Sequence, residues 1–227
     1  MNITSSSLTK AAGAAAAVAG AVFIAVQINH PPGDAFTTET TEWVARSCAK
    51  AVMAALALAG ITGMYLRQYR QAGLLGLVGY VVFTVGYLAL FSVQVIAAAV
   101  LPNLVGTEPG FVNDVVAAAS GGTPNGDIGA LQILFNVAGA GYILGGLVFG
   151  IALFRTRVLA RWAAALLAVS TVGTAALAVL PESFNRPFAV PAGIALIGLG
   201  VSLWRSSRQT TPEAVSATAQ LEQSTVR

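Results

Sequence analysis

Three charged side chains, spaced four apart, are where any chemistry of this chain starts. Glu42, Arg46 and Lys50 stand at i, i+4 and i+8, a spacing that stacks side chains along one helical face. Two cations one turn apart near a helix N-terminus, where the dipole adds partial positive charge, suit an anionic headgroup. Gln94, Gln132 and Asn136 are the amides that could bond such a group from neighbouring helices, and the last two are themselves four apart. The same charges have a plainer use. Arg46 and Lys50 can snorkel to a membrane boundary while Glu42 simply pairs with Arg46.

Other chemistries find few parts. Glu39, Glu42 or Asp127 could serve as the acid of an enzyme acting on a lipid or isoprenoid. No acid falls inside an apolar run, so proton relays and paired-carboxylate chemistry lack their residues there. The chain has one cysteine and one histidine. Neither a disulfide within the chain nor a Cys- or His-built metal site can be assembled from them, and no cofactor is expected. Cys48 is expected to be buried and inert, and His30 to be a turn residue. The basic residues, ten Arg and two Lys, stand singly or in short pairs, with no aromatic interleaving that would suit nucleic acid.

The elements that position these residues are membrane helices. Of 227 residues, 56% are hydrophobic and 9% charged, against about a quarter charged in soluble proteins. Mean hydropathy is +0.76. Between Arg46 and Arg67 lie 20 residues with a single charge, Lys50, which matches the roughly 30 Å hydrocarbon core of a bilayer. Similar runs predict six spans, over about 11–28, 43–66, 73–101, 127–154, 162–180 and 188–204. The first lacks a small-x-small cleavage pattern at its end and is expected to stay as a span rather than act as a secretory signal. Residues 1–9 and the tail 205–227 are expected to be disordered and cytoplasmic, flanking a transmembrane domain over 10–204.

The third run exceeds what a bilayer needs, so tilt or projection is expected. Between it and the fourth, Phe111, Val115, Val116 and Ala119 fall at helical spacing, as in a short helix lying at the interface. Asp127 is placed to cap the fourth span, and Pro181 to Pro187 to form a tight outer turn. Lys10, Arg67, Arg70, Arg155, Arg157, Arg161, Arg205 and Arg208 sort to one end of the spans. Asp34, Glu39, Glu42, Glu108, Asp114, Asp127 and Glu182 sort to the other, with Arg46, Lys50 and Arg186 as its bases. The positive-inside rule makes the first end cytoplasmic and both termini internal. Gln27, Thr171, Thr174 and Asn185 add polar groups to the outer half, where a pocket open to the outside would sit.

Glycines at 139, 141, 145, 146 and 150 crowd the fourth span. Small residues every fourth position let helices approach closely in lipid, so this span is expected at the packing centre. At an offset of 87, residues 63–90 align on 150–177, matching Leu66 to Leu153, Arg70 to Arg157 and Thr84-Val85-Gly86 to Thr171-Val172-Gly173. Duplication of a hairpin explains this, and so does the common need of cytoplasmic helix exits for an aromatic or leucine followed by arginine.

Several segments carry a resemblance: the His30-Pro31-Pro32 turn, GLLGLVGY, PGFV, the block YILGGLVFGIALFRTRVLARWAAALLAV and the closing LGVSLW. Over roughly residues 15–204 the chain resembles a family of small, uncharacterised multi-helix membrane proteins of GC-rich Gram-positive bacteria. The resemblance implies a six-helix membrane protein and brings no biochemical role. The expectation is therefore an all-α, polytopic bundle of the cell membrane, N-in and C-in. Its leading function is non-catalytic binding of a membrane lipid or small anionic amphiphile in an outward pocket. A membrane-embedded enzyme and a transporter component, the latter working as a homo-oligomer, are the alternatives.

Overall fold

The computed structural model describes residues 4–30, 33–178 and 187–207. The expected disorder of 1–3 and 208–227, the Pro31-Pro32 turn, Glu182, Asn185, Arg186, Arg208 and most of the outer turn fall outside these residues. Every regular element described is helical. In chain order they are α1 (Ser5–Ala25), α2 (Ala35–Thr38), α3 (Thr41–Ala99), α4 (Leu101–Leu104), α5 (Pro109–Ala119), α6 (Ala130–Thr156), α7 (Arg161–Gly173) and α8 (Ala189–Ser206). A 3-10 turn, Thr174–Ala178, continues α7. Four of these helices, α1, α3, α6 and α8, are long and apolar enough to cross a membrane. Large side chains such as Val169, 70% exposed, and Ile133, 67% exposed, face outward, as lipid contact allows and water does not favour.

Local chemistry sets the helix ends. α1 starts earlier than expected, because Thr4 and Ser7 form a reciprocal capping box that draws residues 5–9 into the helix. Thr40 caps α3 by accepting from the Trp43 amide at 3.2 Å. α3 ends at Ala99 rather than running to 101, since Pro102 cannot donate to the preceding turn. α7 leaves α-helical form at Gly173, short of the expected 180. The Thr171 and Thr174 hydroxyls donate back to carbonyls three and four residues earlier, which competes with regular helix. α6 begins at Ala130 with no side-chain cap, and Asp127 accepts instead from the Gly129 amide at 2.7 Å.

The 59-residue α3 is a hairpin. Tyr65 and Tyr80 stack with ring centroids 4.5 Å apart, whereas residues that far apart along one straight helix would sit roughly 20 Å from each other. The reversal lies between Gln68 and Gly73, the two residues with non-helical backbone. Gly73, at φ 56 and ψ −152, holds a conformation that a side chain would strain. Two antiparallel arms result, over 41–67 and 74–99, and Trp43 Nε1 of one donates to the Ala97 carbonyl of the other at 3.2 Å.

Six long segments close into a ring of antiparallel neighbours. Gly60 and Gly63 of the first arm meet Ala16 and Ala12 of α1. Gly79 and Gly86 of the second arm meet Phe149 and Gly141 of α6. Gly146 and Gly150 of α6 face Thr171 and Ala168 of α7, and Gly198 of α8 faces Trp162. Gly13 and Gly20 of α1 lie against Gly200 and Gly193 of α8, which closes the circuit. The expected packing centre is thus one member of a ring. α6 is still the most buried of the four apolar helices, at 50% over its most hydropathic window, and it uses glycine against two neighbours at once. Gly139 takes no part, since nothing lies within 4 Å of where its Cβ would be. One core fills the ring with Phe83, Tyr87, Phe149, Leu153, Leu167 and Leu199 among others.

A second core caps one end. Val112, Val115 and Val116 of α5 are buried with Ala35, Leu101 and Ile128, so α5 packs on the bundle. Its inner face is turned from the expected one, with Val112 inside and Ala119 exposed.

A Cβ on Gly145 would collide with the backbone and side chain of Phe83. Gly145→Leu is expected to abolish folded protein, and even Gly145→Ala to lower the detergent melting point, since overpacking of this kind costs about 1–3 kcal/mol. Gly139→Ala should melt as the wild type does.

Candidate functional site

The residues that spacing singled out on α3 gather at the C-terminal end of α1. Beyond its last turn α1 continues through Val26 and reaches Asn29 in left-handed backbone, φ 50. Helix C-termini leave carbonyls without partners. Arg46, one helical turn above Glu42, points at these carbonyls. Its Nη1 donates to the Val26 and Ile28 carbonyls at 3.0 and 2.9 Å, and Nη2 to that of Asn29 at 3.1 Å. Nε and Nη2 both donate to Glu42 Oε1, at 2.9 and 2.7 Å. A guanidinium has five N–H donors, and all five are used. The cation also complements the negative end of the α1 dipole.

Lys50 sits one turn further along, with Nζ 2.7 Å from His30 Nε2. Trp43 meets the same imidazole edge to face, 6.0 Å between centroids. His30 is therefore more than a turn residue, because it joins the end of α1 to both Trp43 and Lys50.

The remaining site residues are spread out. Gln94 is half-buried on the second arm of α3. Gln132 and Asn136 lie on an exposed face of α6, where Gln132 Nε2 donates to Asn136 Oδ1 at 3.2 Å. Thr171 is buried and bonds within α7. Cys48, expected inside, is exposed. Two of the acids at this end hold backbone. Asp34 accepts from the Thr37 amide at 2.8 Å, and Asp114 from the amides of Asn125 and Gly126 at 2.8 and 3.0 Å. No three His, Cys, Asp or Glu side chains among the described residues come together as a metal site would require.

Sequence reading missed the polar junction at the opposite end. Gln68, 1% exposed at the α3 reversal, donates to the Met64 carbonyl and accepts from the Thr156 hydroxyl. Arg67 donates to the Ser206 carbonyl at 3.3 Å, and Ser202 accepts from the Ala160 amide at 2.9 Å. The only clue in the chain was a glutamine in an arginine-flanked turn. Two apolar grooves open near this end, one between α6 and α7 and one between α7 and α8. None of Arg46, Lys50, Gln94, Gln132 or Asn136 lines either.

Comparison with protein-family models, with curated proteins and with solved structures finds no match for this chain.

Arg46→Gln should be destabilising, because it strands three carbonyls and Glu42. Hydrogen bonds to a charged group are worth about 1.5–3 kcal/mol, so a melting point several degrees lower is expected in detergent. Lys50→Gln should fall by less. An unchanged melt for Arg46→Gln would mean that the guanidinium does not hold α1.

Proposed function

We propose that this chain is a six-span, multi-pass protein of the cell membrane, with both termini on the cytoplasmic side, and that it is a non-catalytic binder of an anionic lipid. The observation that carries the reading is the separation of charge between the two ends of the bundle. Lys10, Arg67, Arg70, Arg155, Arg157, Arg161 and Arg205 collect where α1 begins, α3 reverses, α6 passes to α7 and α8 ends. Asp34, Glu39, Glu42, Glu108, Asp114 and Asp127 collect at the other end, around α2 and α5. Arginine excess in short loops is the mark of the cytoplasmic face. The arms of α3 supply two of the six spans, and α7 with its 3-10 turn supplies another. α1, packed between α3 and α8, is kept as a span.

Lipid binding is favoured over catalysis by how two of the three candidate acids, Glu42 and Asp127, are used. Asp34, Glu42, Asp114 and Asp127 are each bonded to backbone or to Arg46. An outward pocket would have to rest on Lys50, Gln94, Gln132 and Asn136, because Arg46 has no donor to spare. The basic end offers more positive charge and no acid among the described residues.

Single cysteines introduced into a Cys48→Ser protein test the topology. Positions 106–126 should react with an impermeant maleimide in intact cells, and positions 68–71 only after permeabilisation. The reverse pattern would overturn the orientation. Native mass spectrometry tests the binding: wild-type protein should leave a mixed phosphatidylglycerol and phosphatidylcholine detergent micelle carrying phosphatidylglycerol. Equal retention of both lipids would overturn it.

A further inference from the structure

The groove between α6 and α7 has the dimensions and surroundings of a site for one anionic phospholipid. It is an open groove of about 580 Å³ between Leu147, Ile151 and Phe154 on one wall and Ala165, Val169 and Val172 on the other. Its floor is where Gly150 lets α7 close on α6, next to Ala168. Along α6 the lining runs from Phe154, two residues from the helix end, inward to Leu147. At 1.5 Å per residue that is roughly 10 Å, contained within a leaflet of about 15 Å. The groove is therefore open to lipid, apolar, and confined to the half of the bundle nearest the basic end.

Charge stands at its mouth. Arg155 in the last turn of α6, Arg157 just past its end and Arg161 at the start of α7 are all exposed and flank the turn between the two helices that form the walls. The Arg161 guanidinium lies 4.1 Å from the centroid of the Phe154 ring, itself part of the lining. The single ion pair among the described residues is Arg46–Glu42, at the far end. Guanidinium groups at the membrane boundary suit a phosphate diester, which they can bond in a fork. Apolar channel and arginine cluster thus match the two parts of one molecule.

We infer that α6 and α7 hold an anionic phospholipid of the cytoplasmic leaflet, its acyl chain in this groove and its phosphate on Arg155, Arg157 and Arg161. The inference rests on the lipid-binding reading and assigns it a place. Arg46, by contrast, is a structural cation. The groove between α7 and α8 ends on Arg205 and Ser202, and the Ser202 hydroxyl is already engaged by the Ala160 amide.

Full-length protein is purified in a micelle of equal phosphatidylglycerol and phosphatidylcholine and read by native mass spectrometry. Wild type should retain phosphatidylglycerol. The triple variant Arg155→Gln, Arg157→Gln, Arg161→Gln should lose it by roughly tenfold or more, given what each basic residue is worth near an anionic surface. Val169→Trp, which fills the groove from an exposed position and keeps every charge, should lose it comparably. It also decides the matter if the triple variant fails to insert. Arg70→Gln, an exposed arginine at the same end, should retain it, and added inorganic phosphate should not compete. Retention of phosphatidylglycerol by wild type, the triple variant and Val169→Trp alike would overturn this site while leaving lipid binding intact. Equal loss in Arg70→Gln would reduce the effect to general surface charge and overturn it too. No preference in wild type would overturn both the site and the reading beneath it.

Discussion

Close backbone contact between small residues holds this bundle together. In lipid, helices gain nothing from hiding apolar side chains, so association depends on how tightly their surfaces fit. The ring meets that demand with glycine at nearly every interface. Gly13 lies against Gly200, Gly60 against Ala16, Gly86 against Gly141, and Gly146 against Thr171. A Cβ on Gly86 would lie 2.5 Å from the Gly141 carbonyl carbon, which leaves no space for any side chain at that crossing. The positions of the arginines and of the grooves follow from it. Where α7 closes on Gly146 and Gly150 the helices touch. The groove runs beside that contact, between Leu147, Ile151 and Phe154 on α6 and Ala165, Val169 and Val172 on α7.

Polar groups serve mainly to finish what packing begins. Backbone inside a membrane must satisfy its own hydrogen bonds, and the unsatisfied ends of helices are the exception. Arg46 covers the end of α1, Asp114 holds the approach to α6, and Gln68 with Thr156 ties the α3 reversal to the end of α6. Charges used in this way are not available to a ligand. The arginines between α6 and α7 are placed differently, on the surface and away from every described acid.

Helical content and the apolar runs could be read from composition, because a run of apolar residues is a local property. The reversal at Gln68–Gly73 was also legible, as a polar turn between two such runs. The role of Arg46 was not. Its partners are carbonyls 17 to 20 residues earlier, and they reach it only once α1 lies antiparallel to α3. Gln68 finds Thr156 across 88 residues for the same reason. The face of α5 was legible at Val115 and Val116 but not at Val112, which packs with Ala35 and Leu101, neither of which periodicity reveals. The repeat at an offset of 87 carries Arg70 onto Arg157, and both stand in turns at the basic end. Duplication and convergent helix exits account for that equally well.

Everything above depends on the ring closing, with the first helix against the last. Ser6 Oγ donates to the Ser207 carbonyl at 3.3 Å, so cysteines at these two positions in a Cys48→Ser protein test closure directly. Under a mild oxidant in isolated membranes, a rapid disulfide within one chain is expected, seen as a mobility shift reversed by reductant. A cysteine pair that stays reduced, or that links only separate chains, would contradict the ring.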